Sequence, residues 1–262
     1  MRIRFLIKVS ILVFLSTLVL SCDQKVASNA GAPSKARTVA ATSLKGPVLL
    51  KSSPQPVEVE IEKISSEEFY TAKQNAKVNK PLDKITDFKI VQEKLEGIVE
   101  FEDQDNYLGI KKINFRNGNY VKNEVDLSEC SFVAYFPGED VLLLECGHNM
   151  DVSFNLKTGQ STYEIGNPNL VTTSPSGKYR WNKIYEGQEC FHHFIQVNKN
   201  GSYKKIAELN GIFEKKTGKW LCVIEKEFWT DDQTVFFGLV TQYNEEGNEY
   251  DFYRVRLTDN TN

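Results

Sequence analysis

Turn-forming residues punctuate this chain so closely after Asp87 that long helices have no room. Asn117-Gly118, Pro137-Gly138, Thr158-Gly159, Pro175-Ser176-Gly177, Asn200-Gly201, Thr217-Gly218, Asp231-Asp232 and Gly247-Asn248 each carry the residue types that tight turns require. The runs between them are rich in β-branched and aromatic residues and read as short strands. They are Lys89–Val91, Gly97–Phe101, Leu108–Phe115, Tyr120–Val125, Ser131–Phe136, Val141–Glu145, Val152–Leu156, Tyr163–Ile165, Tyr179–Ile184, Cys190–Val197, Tyr203–Glu208, Trp220–Ile224, Thr234–Val240 and Tyr250–Leu257. The expectation is a mostly β domain.

Before this region, Val57, Val59 and Ile61 alternate with Glu58, Glu60 and Glu62, the pattern of a strand with one wet face. Ser65 and Glu68 then form a capping box. Phe69, Ala72 and Ala76 share a helical face, and Asn79 and Pro81 end it. The spacing predicts one short helix over residues 66–78.

Gly118, Gly159 and Gly201 are separated by 41 and 42 residues, close to the 40–45 residues of a four-stranded propeller blade. Ser174-Pro175-Ser176-Gly177-Lys178 and Asn155-Leu156-Lys157-Thr158-Gly159-Gln160 resemble the hairpins that open and close blades in many β-propellers. The resemblance spans residues 97–258. It implies a propeller-like assembly, with an irregular antiparallel sandwich or barrel as the alternative. An extra hairpin-like segment at 211–226 interrupts the period. Since propellers use four or more blades, a partial one would need the N-terminal strand and helix to cover its open edges.

The first twenty-two residues bear on location. Arg2, Arg4 and Lys8 precede an apolar run from Ile11 to Leu20, which is too short to span a bilayer and suits a signal peptide. Val19-Leu20-Ser21-Cys22 resembles the lipobox of bacterial lipoproteins. That resemblance implies a signal peptide over 1–21, and Cys22 as a mature N-terminus whose sulfur carries a diacylglycerol. Two or three acyl chains, at about 0.8 kcal/mol per buried methylene, make a stable anchor. The expected location is the bacterial cell envelope, with the domain outside the cytoplasm and the leaflet undetermined.

Residues 22–53 comprise this cysteine and a tether rich in Ser, Ala, Thr, Lys, Gly and Pro, and residues 54–262 form a single domain. The chain carries a formal charge of -3. The leader contributes three positive charges and residues 23–53 a net +4, which leaves -10 for the rest. An acidic domain lacks the basic footprint that nucleic acid requires. The basic tether is reach, about 30 Å on average for thirty flexible residues.

With Cys22 set aside, Cys130, Cys146, Cys190 and Cys222 remain. In an oxidising compartment four cysteines can form two disulfides in three connectivities. A hairpin about Gly138 places Cys130 opposite Cys146 at a separation suited to a disulfide. Cys190–Cys222 follows by elimination. A competing arrangement uses Cys146, His148, Cys190 and His192: each C-x-H step puts two ligands on one strand face, and two steps make a tetrahedral zinc set. His192-His193 otherwise reads as one buried and one exposed histidine.

No nucleophile elbow, zincin, P-loop or dinucleotide fingerprint is present, and no cofactor is expected. Asp103-Gln104-Asp105-Asn106 has the acidic alternation of a calcium loop, without its glycine and distal glutamate. Trp181, Trp220 and Trp229 are candidates for a sugar or peptide groove. The function that follows is a lipid-anchored binding or scaffolding module for an envelope protein, peptide or glycan. The alternatives are an envelope hydrolase built on loop carboxylates such as Asp231 and Asp232, and a zinc-binding protein.

Overall fold

The computed structural model describes residues 57–104, 107–122, 127, 129–147, 149–187 and 190–259. All belong to the unit Lys51–Asn262. The leader, Cys22, the tether and the boundary near residue 54 lie outside the described residues, as do Asp105, Asn106 and His148.

In chain order the elements are β1 (Val57–Ile64), α1 (Ser66–Lys73), α2 (Phe88–Lys94), β2 (Val99–Gln104), β3 (Tyr107–Asn114), β4 (Tyr120–Lys122), β5 (Cys130–Phe136), β6 (Val141–Cys146) and β7 (Met150–Asn155). There follow α3 (Thr162–Ile165), a 3-10 turn at Pro168–Leu170, β8 (Thr172–Thr173), β9 (Tyr179–Tyr185), β10 (Phe191–Lys199) and β11 (Ser202–Glu208). The chain continues with α4 (Leu209–Thr217), β12 (Ile224–Trp229), β13 (Thr234–Gln242) and β14 (Glu249–Asp259). The fold is mostly β, 49% strand and 16% helix, an irregular antiparallel assembly not closed into a barrel.

Three sheets form in succession. The first runs β2-β3-β5-β6-β7, with β4 also paired to β3. The middle sheet runs β11-β10-β9-β8, and the last runs β1-β14-β13-β12. The N-terminal strand therefore completes the C-terminal sheet, with Val57 opposite Asp259 and Ile64 opposite Phe252.

Strand alternation decides how the sheets stack. On the middle sheet Tyr179, Trp181 and Ile195 point one way. They pack with Val235, Phe237, Val255 and Trp229 of the last sheet and with Phe213 of α4 in the largest apolar core. The intervening residues Arg180, Asn182 and Gln196 are also buried and bond toward the first sheet and α3. Gln196 Nε2 donates to the Glu164 carbonyl at 2.7 Å, Asn182 Nδ2 to the Ile165 carbonyl at 2.8 Å, and Arg180 Nη1 to Glu139 Oε1 at 2.5 Å. One face of the middle sheet is thus apolar and the other is a polar network, costly to disturb because any orphaned member stays buried.

The two outer faces of the stack are capped by helices. Phe69 of α1 packs on Phe228, Phe236 and Phe252 of the last sheet. Val91 of α2 and the adjacent Leu95 pack on Ile110, Ile113, Leu142 and Leu144 of the first. Covering an open sheet face this way replaces ring closure as the means of hiding apolar surface.

A strap, residues 74–87, crosses all three sheets. Lys77 N–H donates to the Trp229 carbonyl of the last sheet. Asn79 donates to the Val171 carbonyl and accepts from Thr173 N–H beside the middle sheet. Ile85 then bridges to Tyr135 of the first. This path corrects the predicted helix length. The cap holds, Ser65 Oγ accepting from Glu68 N–H at 3.1 Å, but α1 ends at Lys73: Gln74, Asn75 and Ala76 N–H close it with tight turns onto Thr71, Ala72 and Lys73, and Lys77 N–H leaves for the Trp229 carbonyl.

Three segments expected as strand or hairpin are not. Lys89–Val91 lies in α2, capped by Asp87 and burying Val91 and Leu95 four residues apart. Tyr163–Ile165 lies in α3. The segment from 211 begins in α4, which buries Leu209 and Phe213 and ends at left-handed Gly218. Trp220–Ile224 is mostly coil, and β12 follows it.

Candidate functional site

Cys130 bonds Cys146 and Cys190 bonds Cys222. The β5–β6 hairpin starts with Phe136 opposite Val141, a register that would send Cys130 past Cys146. A bulge between Phe132 and Ala134 moves the register by one residue and sets Cys130 against Cys146. The zinc arrangement fails on this connectivity, because Cys146 and Cys190 sit in different disulfides and neither has a thiolate to offer. His192 instead pairs with Glu208, and among the described residues no group of three or more His, Cys, Asp or Glu is placed to hold a metal ion.

His193 is fully buried. Its Nδ1 accepts from Trp181 Nε1–H at 3.2 Å, which leaves Nε2–H to donate to the Cys222 carbonyl at 2.8 Å. Burial holds the imidazole neutral, its pKa down to about 3, with Lys183 and His192 adding to the effect against the pull of the Cys222 carbonyl. It is a packing residue of the core.

The loop acids do not converge. Asp231 accepts from Gln233 N–H within its own turn. Asp232 binds the backbone N–H and hydroxyl of Ser176, clipping the β12–β13 turn to the β8–β9 turn. Both are structural.

Of the three tryptophans, Trp181 and Trp229 are core, and Trp220 is 74% exposed. Its position is built by three local devices. Gly218, at φ +70°, closes α4 by donating to the Glu214 carbonyl and turns the chain back. The Cys190–Cys222 disulfide ties the next residues to the start of β10. Asn210 sits beneath, donating to the carbonyls of Phe191 and Leu221 and accepting from His193 N–H. The indole then donates to Glu214 Oε1 at 3.2 Å.

Trp220, Glu214 and Glu186 line a cavity of about 270 Å³. Glu186 also borders a second, of about 350 Å³, lined by Met150, Asp151, Tyr163 and Tyr185. The two share Glu186 as a wall and each carries an exposed aromatic ring, Trp220 in the first and Tyr163, 57% exposed, in the second; the pair makes the groove. Among the described residues three carboxylates border it and no lysine or arginine does. Tyr163 bonds Glu186, which raises the phenol pKa. Asp151 is held by Tyr185 N–H at 2.8 Å, and burial raises its pKa despite hydrogen bonds from Asn167 and Tyr185.

The sequence marked only Trp220 of this set. Tyr163 was hidden by its reading as strand, and Asp151, Glu186 and Glu214 carry no local pattern. The chain matches no family model, no curated protein and no solved structure.

Proposed function

We propose that this protein is a lipid-anchored binding module of the bacterial cell envelope, and that the groove between Tyr163 and Trp220 is its ligand face. The observation that carries the reading is the groove's composition among the described residues: two exposed aromatic rings, three carboxylates and no lysine or arginine. Aromatic faces bind sugar rings and peptide side chains, and the carboxylates favour hydroxyl or cationic groups over anions. The ligand is a glycan or peptide segment without net negative charge. Anchoring rests on the lipobox-like residues 19–22, and the two disulfides suit an oxidising compartment.

Trp220 is the exposed tryptophan of three, so its fluorescence reports on the groove. Titrating the full-length protein in neutral detergent with neutral oligosaccharides and with lysine-bearing peptides should give a saturable change with one class. Glu186→Gln should weaken it at least tenfold. No saturable change with either class refutes the reading. Anchoring has its own test: Cys22→Ala should move the protein from the membrane to the soluble fraction without unfolding it.

A second reading, an envelope hydrolase, draws on Asp151 and Glu186. They border one cavity, and burial raises the pKa of Asp151, as suits a general acid. Turnover of the oligosaccharide or peptide, lost in Asp151→Asn, would favour it over binding alone.

A further inference from the structure

We propose a second binding site, for a phosphate group, in the cleft between the strap and the β8–β9 turn. The cleft has a volume of about 530 Å³. Its walls bring together Lys77 and Lys80 of the strap, Arg180 of β9, and the turn from Thr173 to Gly177. Among the described residues no carboxylate lines it.

Arg180 is the built part of the site. It is 2% exposed and held from three directions: Nε donates to Gln196 Oε1 at 2.6 Å, Nη1 to Glu139 Oε1 at 2.5 Å, and the guanidinium lies 3.9 Å from the centre of the Tyr203 ring. Nη2 has no acceptor among the described residues. A guanidinium fixed in this way presents donors without losing further side-chain freedom.

The two lysines complete the charge. Lys77 and Lys80 are exposed and make no ion pair among the described residues. Their backbone is nevertheless fixed, by the Lys77–Trp229 bond and by both ends of the Asn79 amide. The acids that reach the back of the cleft are committed elsewhere: Glu139 to Arg180, and Asp232 to Ser176. Asp83 lies on the strap outside the lining.

Two ammonium groups and the remaining Nη2 donors of Arg180, whose charge is shared with Glu139, surround one opening and suit a tetrahedral oxyanion, each donor meeting a different oxygen. Val78, 88% exposed, and Leu82 add an apolar edge beside this charge. That edge suits a phosphate carrying an aliphatic group. Two sources offer the same chemistry, a soluble phosphoester and a phospholipid headgroup.

The test uses the full-length protein in neutral detergent, with backbone and Arg Nε amide shifts followed by NMR. The probes are glycerol phosphate and dihexanoyl phosphatidylglycerol, with sodium chloride at matched ionic strength as the control. Saturable shifts at residues 77–80, 173–177 and Arg180 are expected. The double variant Lys77→Gln/Lys80→Gln, whose side chains make no hydrogen bond or ion pair among the described residues, should weaken binding at least tenfold with unchanged thermal stability. Equal affinity for the two probes assigns the site to soluble phosphoesters, and tenfold preference for the lipid assigns it to headgroups. Shifts reproduced by sodium chloride, shifts unaltered in the double variant, or no shift with either probe would overturn the proposal.

Discussion

Acidification should unfold this domain through His193, and the structure sets the size of the effect. In the folded protein the imidazole is neutral, with Nδ1 facing the Trp181 N–H and Nε2–H on the Cys222 carbonyl. Protonating Nδ1 would set donor against donor in a fully buried site, and the pKa is accordingly down to about 3. In the unfolded chain a histidine titrates near 6.5. Above pH 6.5 neither state binds the proton, so stability is unaffected. Between 6.5 and 3 the unfolded state is protonated and the folded state is not, so stability falls by about 1.4 kcal/mol per pH unit. Below pH 3 the loss levels off near 5 kcal/mol, comparable with the whole stability of many domains.

The assay is urea denaturation of the wild type and His193→Gln from pH 8 to pH 4. Glutamine retains a donor for the Cys222 carbonyl. Carboxylates with lowered pKa, among them Asp232, Asp251 and Asp259, lose their contribution as pH falls through the low carboxylate range, but they do so equally in both proteins. The wild type should therefore lose about 3 kcal/mol more than the variant between pH 6.5 and 4.5. Parallel pH profiles would refute the assignment of a buried neutral imidazole.

Other perturbations have equally definite outcomes. Gly166→Ala places a Cβ at 2.3 Å from the Asn182 side chain, at φ +76°. Strain and overpacking together should lower stability by about 3 kcal/mol or more in urea denaturation. Cys130→Ala/Cys146→Ala removes a crosslink spanning 16 residues and should cost about 3 kcal/mol, read as a lower denaturation midpoint. Trp220→Ala should leave the thermal midpoint nearly unchanged, because the ring is exposed, while abolishing saturable ligand binding in a calorimetric titration.

Much of the sheet assembly was legible because strands and tight turns announce themselves locally. β5 and β6 could be placed from Pro137-Gly138 alone, and the facing of Cys130 and Cys146 from counting across it. The bulge that makes the count work was not legible, since it depends on how Val133 and its neighbours pack. Short helices were missed for a related reason. α2 buries only Val91, with Leu95 just past its end, and α4 buries only Leu209 and Phe213, and so few apolar positions read equally well as strand. The glycine period at 118, 159 and 201 marks turns without marking equivalent sheets: Gly118 and Gly201 turn hairpins inside sheets, while Gly159 follows the last strand of one. The groove was the least legible part. Its residues come from β7, α3, β9, α4 and the coil after it, elements far apart along the chain.

The most direct test of the binding account is photocrosslinking in intact cells from a photoreactive phenylalanine analogue at position 220. The same group at position 243, where Tyr243 is 68% exposed, serves as the control. The account predicts a discrete adduct from position 220, recovered in the membrane fraction and lost when Glu186→Gln is added. Labelling from position 220 no stronger than from position 243, or unaffected by Glu186→Gln, would contradict it.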